Sequence, residues 1–115
     1  MQTLALPLCP SANRYWRTYR GRAVKSPEAR NYRAIVATLA QAAQVACIAA
    51  PFPVAVTITW QRRERRGDLD NRLKVLLDAL QGVAYEDDKQ VRELHAFLED
   101  GHSENRMLVT VKAAA

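Results

Sequence analysis

VAVTITWQRRERRGDLDNRLKVLLDALQG, residues Val54 to Gly82, decides the fold. Its first eight residues alternate: Val54, Val56, Ile58 and Trp60 on one side, Ala55, Thr57, Thr59 and Gln61 on the other. That period of two predicts a half-buried strand. Arg62 to Gly67 follows as a charged loop or strand extension. The period then lengthens, and Leu73, Leu76, Leu77 and Leu80 share one face of a helix from about Asp70 to Gln81, with Gly82 as its stop.

Upstream, Thr3 to Leu8 reads as a short strand ended by Pro7 and Pro10, and residues 10–25 have loop character. Ser26-Pro27-Glu28 is a helix start: serine caps, proline fits the first turn, and glutamate suits the positive end of the dipole. That helix sets Tyr32, Ile35, Val36, Leu39 and Ala43 along one stripe and is expected to end near Ala49, before Pro51. Downstream, residues 90–98 alternate as a strand with Leu94, Ala96 and Leu98 on one side. Gly101 to Asn105 turns, and Met107 to Val111 is a last strand. The order β-α-β-α-β-β predicts an α+β fold: one domain over residues 1–115, a mixed sheet of about four strands with two helices, and the last two strands paired as a hairpin.

With 115 residues, 49% of them apolar and 25% charged, the chain is neither a disordered tail nor a disulfide scaffold. Its net charge of +5 suits a polyanionic partner, nucleic acid before membrane, and equally plain solubility. The charge is segregated. Residues 14–33 hold seven bases and one acid, residues 34–61 hold no charge, and residues 78–104 hold eight acids and two bases. The uncharged stretch is broken by Pro51 and Pro53 and carries Gln41 and Gln44, so it is not a membrane span. Cys9 and Cys47 make no motif, and Met1 to Pro10 lacks the basic start of a secretory signal, so a reduced, cytoplasmic protein is expected.

Asp68 and Asp70 stand two apart. At a strand end that spacing puts both carboxylates on one side with Leu69 toward the core, and carboxylates so paired repel unless a cation lies between them. Mg²⁺ is a hard ion that takes such oxygens. Asp70 also suits a helix N-cap, and Asp68 a solvated loop. Lys74 lies one turn past Asp70, where it either neutralises charge on a phosphate or forms an i,i+4 ion pair with Asp70 or Asp78. The chain's return after the helix can bring Asp87-Asp88 near the first pair, although a strand-leading turn also accounts for these two acids. Three carboxylates and a lysine flanked by arginines are what metal-assisted phosphodiester cleavage needs. His95 and His102 have no metal or nucleophile spacing. Arg62, Arg63, Arg65 and Arg66, with Arg14 and Arg17, are the candidate DNA-binding residues. Tyr15, Trp16 and Tyr19 among the bases suit either stacking on exposed bases or packing on the core.

The run Arg66, Asp68-Leu69-Asp70-Asn71 and Lys74, then Asp78-Ala79-Leu80 and Asp87-Asp88-x-Gln90-Val91, resembles the RusA family of Holliday junction resolvases. Pro10-Ser11-Ala12-Asn13-Arg14-Tyr15 is similar to that family's N-terminal segment. The resemblance spans nearly the whole chain. It implies a RusA-like, Mg²⁺-dependent endonuclease acting as a homodimer on four-way DNA junctions in recombination and repair. It also implies Asp68, Asp70 and Asp88 as metal-binding catalytic aspartates and Lys74 as an essential lysine. The exposed face of the final strands and the alanine-rich helix are both candidates for the dimer interface. This chain departs from the pattern in Gly67, which follows Arg66, and in a slightly shorter stretch between Lys74 and Asp88. Two other readings are a non-catalytic nucleic-acid-binding domain, whose acids are caps and turns, and a metal-dependent nuclease for other branched DNA.

Overall fold

In the computed structural model, which describes residues 2–114, the alternating segment is strand β4 (Val54–Arg62) at the centre of the sheet. Val54, Val56 and Ile58 are fully buried and Trp60 nearly so. Strand β1 (Gln2–Leu6) lies at one edge, β5 (Val91–Asp100) at the other, and β6 (Arg106–Ala113) inside, giving the order β1-β6-β4-β5. β5 runs parallel to β4, whereas β6 is antiparallel to both β4 and β1.

The expected terminal hairpin does not form, because β4 lies between β5 and β6. A strand buried on both edges needs two partners. β6 brings Met107, Val109 and Val111, each at most 2% exposed, into the core, while the charged β5 suits an edge. The connection crosses over the end of β4, where His102 N–H donates to the Arg62 carbonyl at 3.2 Å and Arg63 N–H to Asn105 Oδ1 at 3.0 Å.

Residues 10–25 are more ordered than a loop. They form a one-turn helix α1 (Ala12–Tyr15) and a hairpin of β2 (Trp16–Tyr19) and β3 (Arg22–Lys25). Helix α2 (Pro27–Ala42) starts as expected, with Ser26 Oγ accepting from Ala29 N–H at 3.1 Å. It stops seven residues before Ala49. Gln44 turns left-handed at φ 56°, and Val45 N–H returns to the Ala40 carbonyl, a Schellman stop with glutamine where glycine is usual. The buried stripe of α2 is Ala29, Tyr32, Val36 and Ala40, leaving Ile35 and Leu39 at the surface. Helix α3 (Asp70–Leu80) buries Val75, Leu76, Ala79 and Leu80. A short 3₁₀ turn, Asp88–Gln90, leads into β5.

Candidate active site

The loop between β4 and α3 is held from below. Trp60 carries the Arg62 guanidinium 5.5 Å and the Arg72 guanidinium 5.3 Å from its ring centroid. Arg62 Nε donates to Asp100 Oδ1 at 2.6 Å and its Nη1 to the Gly67 carbonyl at 3.0 Å, while Arg72 Nη1 donates to the Cys9 carbonyl. This bond to Arg62 holds the Asp100 carboxyl below the usual carboxylate range. Arg62 is 9% exposed and its guanidinium is engaged as an internal tie, unlike the exposed arginines that follow it. Gly67 packs closely against Trp60. Its φ is +94°, and a Cβ there would meet Trp60 Cη2 at 2.9 Å. Arg63, Arg65 and Arg66 are exposed, with Arg66 at 2.7 Å from Glu64 and Arg65 at 3.6 Å from Asp100. Arg14 and Arg17 are exposed on α1 and β2.

Asp68 lies in the loop and not at a strand end; Leu69 is half-buried, and Asp70 opens α3. Leu69, not Asp70, occupies the N-cap position, so the capping role of Asp70 is not realised. Both carboxylates are exposed, and among the described residues neither is in an ion pair.

Further along α3, a cleft of about 380 Å³ opens between the helix, β5 and Trp16. Lys74, Asp78, Asp88, Arg92 and Glu93 supply its charged lining. Lys74 Nζ sits 5.2 Å from the Trp16 ring centroid and, among the described residues, has no ion-pair partner, so the ion-pair alternative for this lysine is absent. Asp88 reaches the cleft because its neighbour is otherwise engaged. Asp87 caps the 3₁₀ turn, its carboxylate accepting from Lys89 N–H at 2.9 Å, and this bond lowers its pKa. Gln90, 3% exposed, locks the turn from inside. Its Oε1 accepts from Asp87 N–H, and its Nε2 faces the carbonyls of Ile48, Ala49 and Phe52 at 2.8–3.1 Å.

Chain return therefore brings Asp88 beside Lys74. Asp68 and Asp70 do not line that cleft, and among the described residues no three His, Cys, Asp or Glu side chains converge on one ion. The expected cluster of mutually repelling acids is thus not closed. Exposed carboxylate oxygens free of ion pairs fit Mg²⁺ in donor chemistry. Asp68 and Asp70 lie together at the start of α3, outside the cleft, and Asp88 lies in it.

Asp78, which the sequence offered only as an ion-pair partner for Lys74 and as part of the family-like run, also lines the cleft. Its Oδ2 accepts from Tyr15 Oη at 2.5 Å and Arg33 Nη1 at 3.0 Å, and Lys25 Nζ is 3.7 Å from Oδ1. Burial, then the bond to Asp78, pushes the Tyr15 hydroxyl up to about 12. The available signal was spacing, since Asp78 lies one turn past Lys74 on the same face.

The class is that of the endodeoxyribonucleases: residues 6–112 match the family model described as Endodeoxyribonuclease RusA. The chain belongs to the RusA family, whose members are phosphodiester-cleaving endonucleases. It is 40% identical over 91 residues to the crossover junction endodeoxyribonuclease RusA of Escherichia coli (strain K12), covering 77% of this chain and 75% of that protein. Against the protein of the same name from Enterobacteria phage 82 it is 39% identical over 90 residues, 76% and 74% of the two chains. The Shigella sonnei (strain Ss046) protein is 38% identical over 91 residues, 77% of this chain and 75% of that one.

Proposed function

We propose that this chain, as a single endonuclease domain, resolves four-way DNA junctions by Mg²⁺-dependent hydrolysis in recombination and repair, acting as a cytoplasmic homodimer. The observation that carries the reading is Lys74, an ammonium that lines one cleft with Asp88 and has no ion-pair partner among the described residues. A plain binding module has no use for exposed carboxylates next to phosphates. No helix of the described residues is long and apolar enough to cross a membrane.

Asp68, Asp70 and Asp88 would hold the ion. When bound, it supplies a water of lowered pKa and Lewis-acid charge at the scissile phosphate. Lys74, steadied on Trp16, directs positive charge at the phosphate oxygens as negative charge grows on them. Arg63, Arg65 and Arg66 draw the backbone toward Asp68, and Arg14 and Arg17 extend the contact without reading sequence. Exposed apolar side chains on β5 (Leu94, Phe97, Leu98) and α2 (Ile35, Leu39) are the surfaces open to a two-fold partner.

The test is a cleavage gel with synthetic four-way junctions, flaps, duplex and single strands, with and without Mg²⁺. Paired nicks confined to the four-way junction, present only with Mg²⁺ and lost in Asp70→Asn while binding persists, are expected. Equal cleavage of flaps would shift the assignment to other branched DNA. Binding without cleavage of any substrate would leave a non-catalytic module.

A further inference from the structure

The β2–β3 hairpin is a separate two-stranded sheet outside the main one. Its link, Arg20–Gly21, has φ of 51° and 75°, the positive pair of a type I′ turn, which keeps the two strands twisted together to the tip. The register pairs Trp16 with Lys25, Arg17 with Val24, Thr18 with Ala23 and Tyr19 with Arg22. Side chains alternate along each strand, so the ribbon has two distinct faces.

One face carries Trp16, Thr18, Ala23 and Lys25 and is tied to the body. Trp16 supports Lys74, and Lys25 reaches Asp78 at 3.7 Å. The other carries Arg17, Tyr19, Arg22 and Val24. Arg17 and Arg22 are diagonal neighbours across the strands and both exposed. Diagonal positions lie within reach of long side chains, and like charges there repel. An isolated hairpin is already marginal in water. Residues 16–25 contain four cations and no acid, so nothing within the hairpin relieves that repulsion. At the tip Tyr19 is 59% exposed, and the Arg20 guanidinium lies 5.3 Å from its ring centroid. An aromatic platform topped by a guanidinium, flanked by two further cations, matches a nucleobase with its neighbouring phosphates. In intact duplex every base pair is stacked on both faces, whereas a branch point interrupts the stack and leaves base faces open.

We infer that the hairpin is a branch-sensing arm: Tyr19 stacks on a base face left open at the crossover while Arg17 and Arg22 hold the phosphates beside it. This deepens the proposed function and rests on it. Stacking adds affinity for branched DNA alone, so it is a source of selectivity, while Lys25 and Trp16 keep the arm adjacent to the cleft.

The test uses the full chain, without divalent ions so that DNA stays intact. Affinities of the parent, Tyr19→Ala and Tyr19→Phe are measured for a four-way junction and for a linear duplex of matching sequence. A 2-aminopurine at the branch point reports stacking by fluorescence. Tyr19→Ala is expected to lose roughly tenfold in junction affinity, about 1.4 kcal/mol, with duplex affinity unchanged and the 2-aminopurine response abolished. Tyr19→Phe, which keeps the π-face, is expected to behave as the parent. Equal losses on junction and duplex, or an unchanged junction affinity, overturn the inference. If the parent cleaves junctions with Mg²⁺ and Tyr19→Ala retains full discrimination, only the arm's role falls. A parent that neither prefers nor cleaves junctions overturns the function and the arm together.

Discussion

Lys74 and Gly67 set different kinds of constraint on the same stretch of chain. Lys74 rests on Trp16 and pairs with no carboxylate among the described residues, so removing its ammonium strands no partner. Lys74→Ala is expected to keep its melting temperature and its junction affinity but to slow single-turnover cleavage roughly a hundredfold or more, as loss of one transition-state donor does. A cleavage rate within a few-fold of the parent would reduce Lys74 to a surface residue. Lys74→Arg is expected to recover little, because a planar guanidinium places its charge differently from a compact ammonium. Gly67 acts through packing. At φ +94°, with Trp60 Cη2 at 2.9 Å from where a Cβ would lie, Gly67→Ala combines backbone strain with a clash. It is expected to cost about 1–3 kcal/mol, read by denaturant unfolding. Unfolding at the parent's midpoint would mean that the loop shifts freely.

At the scale of elements, the 3₁₀ turn and the arginine loop each present residues that their neighbours hold in place. Gln90→Ala removes the amide that faces the Ile48, Ala49 and Phe52 carbonyls and the acceptor for Asp87 N–H. Unmade buried bonds cost about 1–3 kcal/mol, so the variant is expected to unfold earlier. Because the same turn carries Asp88, cleavage is expected to fall by more than binding does. A parent-like rate would show that Asp88 needs no such support. In the arginine loop, only the exposed members are free for DNA. Replacing Arg63 and Arg66 by Ala is expected to flatten the slope of log affinity against log salt by about one per lost phosphate contact. Arg62→Ala is expected to act through stability instead, since it breaks the tie from β4 to Asp100 and Gly67. An unchanged slope in the double variant would turn the cluster to solvent.

For the whole molecule, buried proton-bearing groups set an alkaline limit. Burial pushes the Cys9 thiol up from 9.0 to about 11, against a smaller opposing pull from Arg72. Tyr15 is raised from 10.0 to about 12, and burial also raises Tyr32 and Tyr85. The folded state therefore holds protons that the unfolded chain releases. This stability is fully present below about pH 9 and is lost as pH rises through the windows 9–11 and 10–12. Each group in its window contributes a slope of about 1.4 kcal/mol per pH unit. Melting temperatures measured from pH 8 upward should fall above about pH 9, and Cys9→Ala should remove the earliest part of the fall. A flat profile to pH 11 would mean that these groups titrate in the folded state as they do in the unfolded chain.

Much of this was legible in the residues. Period-two alternation over Val54–Gln61, the leucine spacing that opens at Asp70, and the Ser26-Pro27-Glu28 cap are local patterns whose energies are local, and they determined β4, α3 and the start of α2. The motif run from Arg66 to Val91 carried the family. Tertiary structure alone decided which strands pair. Ladder bonds between β5 and β6 would have satisfied those two strands as well as bonds with β4 do; the observed arrangement gives the buried β4 a partner on both edges and puts Met107, Val109 and Val111 in the core. It also decided between neighbours of identical chemistry. Asp87 is spent on a cap while Asp88 enters the cleft, and Arg62 is tied inward while Arg63, Arg65 and Arg66 face solvent. A carboxylate or a guanidinium has the same composition, charge and spacing in either setting. What distinguishes them is the partner that folding brings from a distant part of the chain, such as Asp100 for Arg62 or Tyr15 for Asp78.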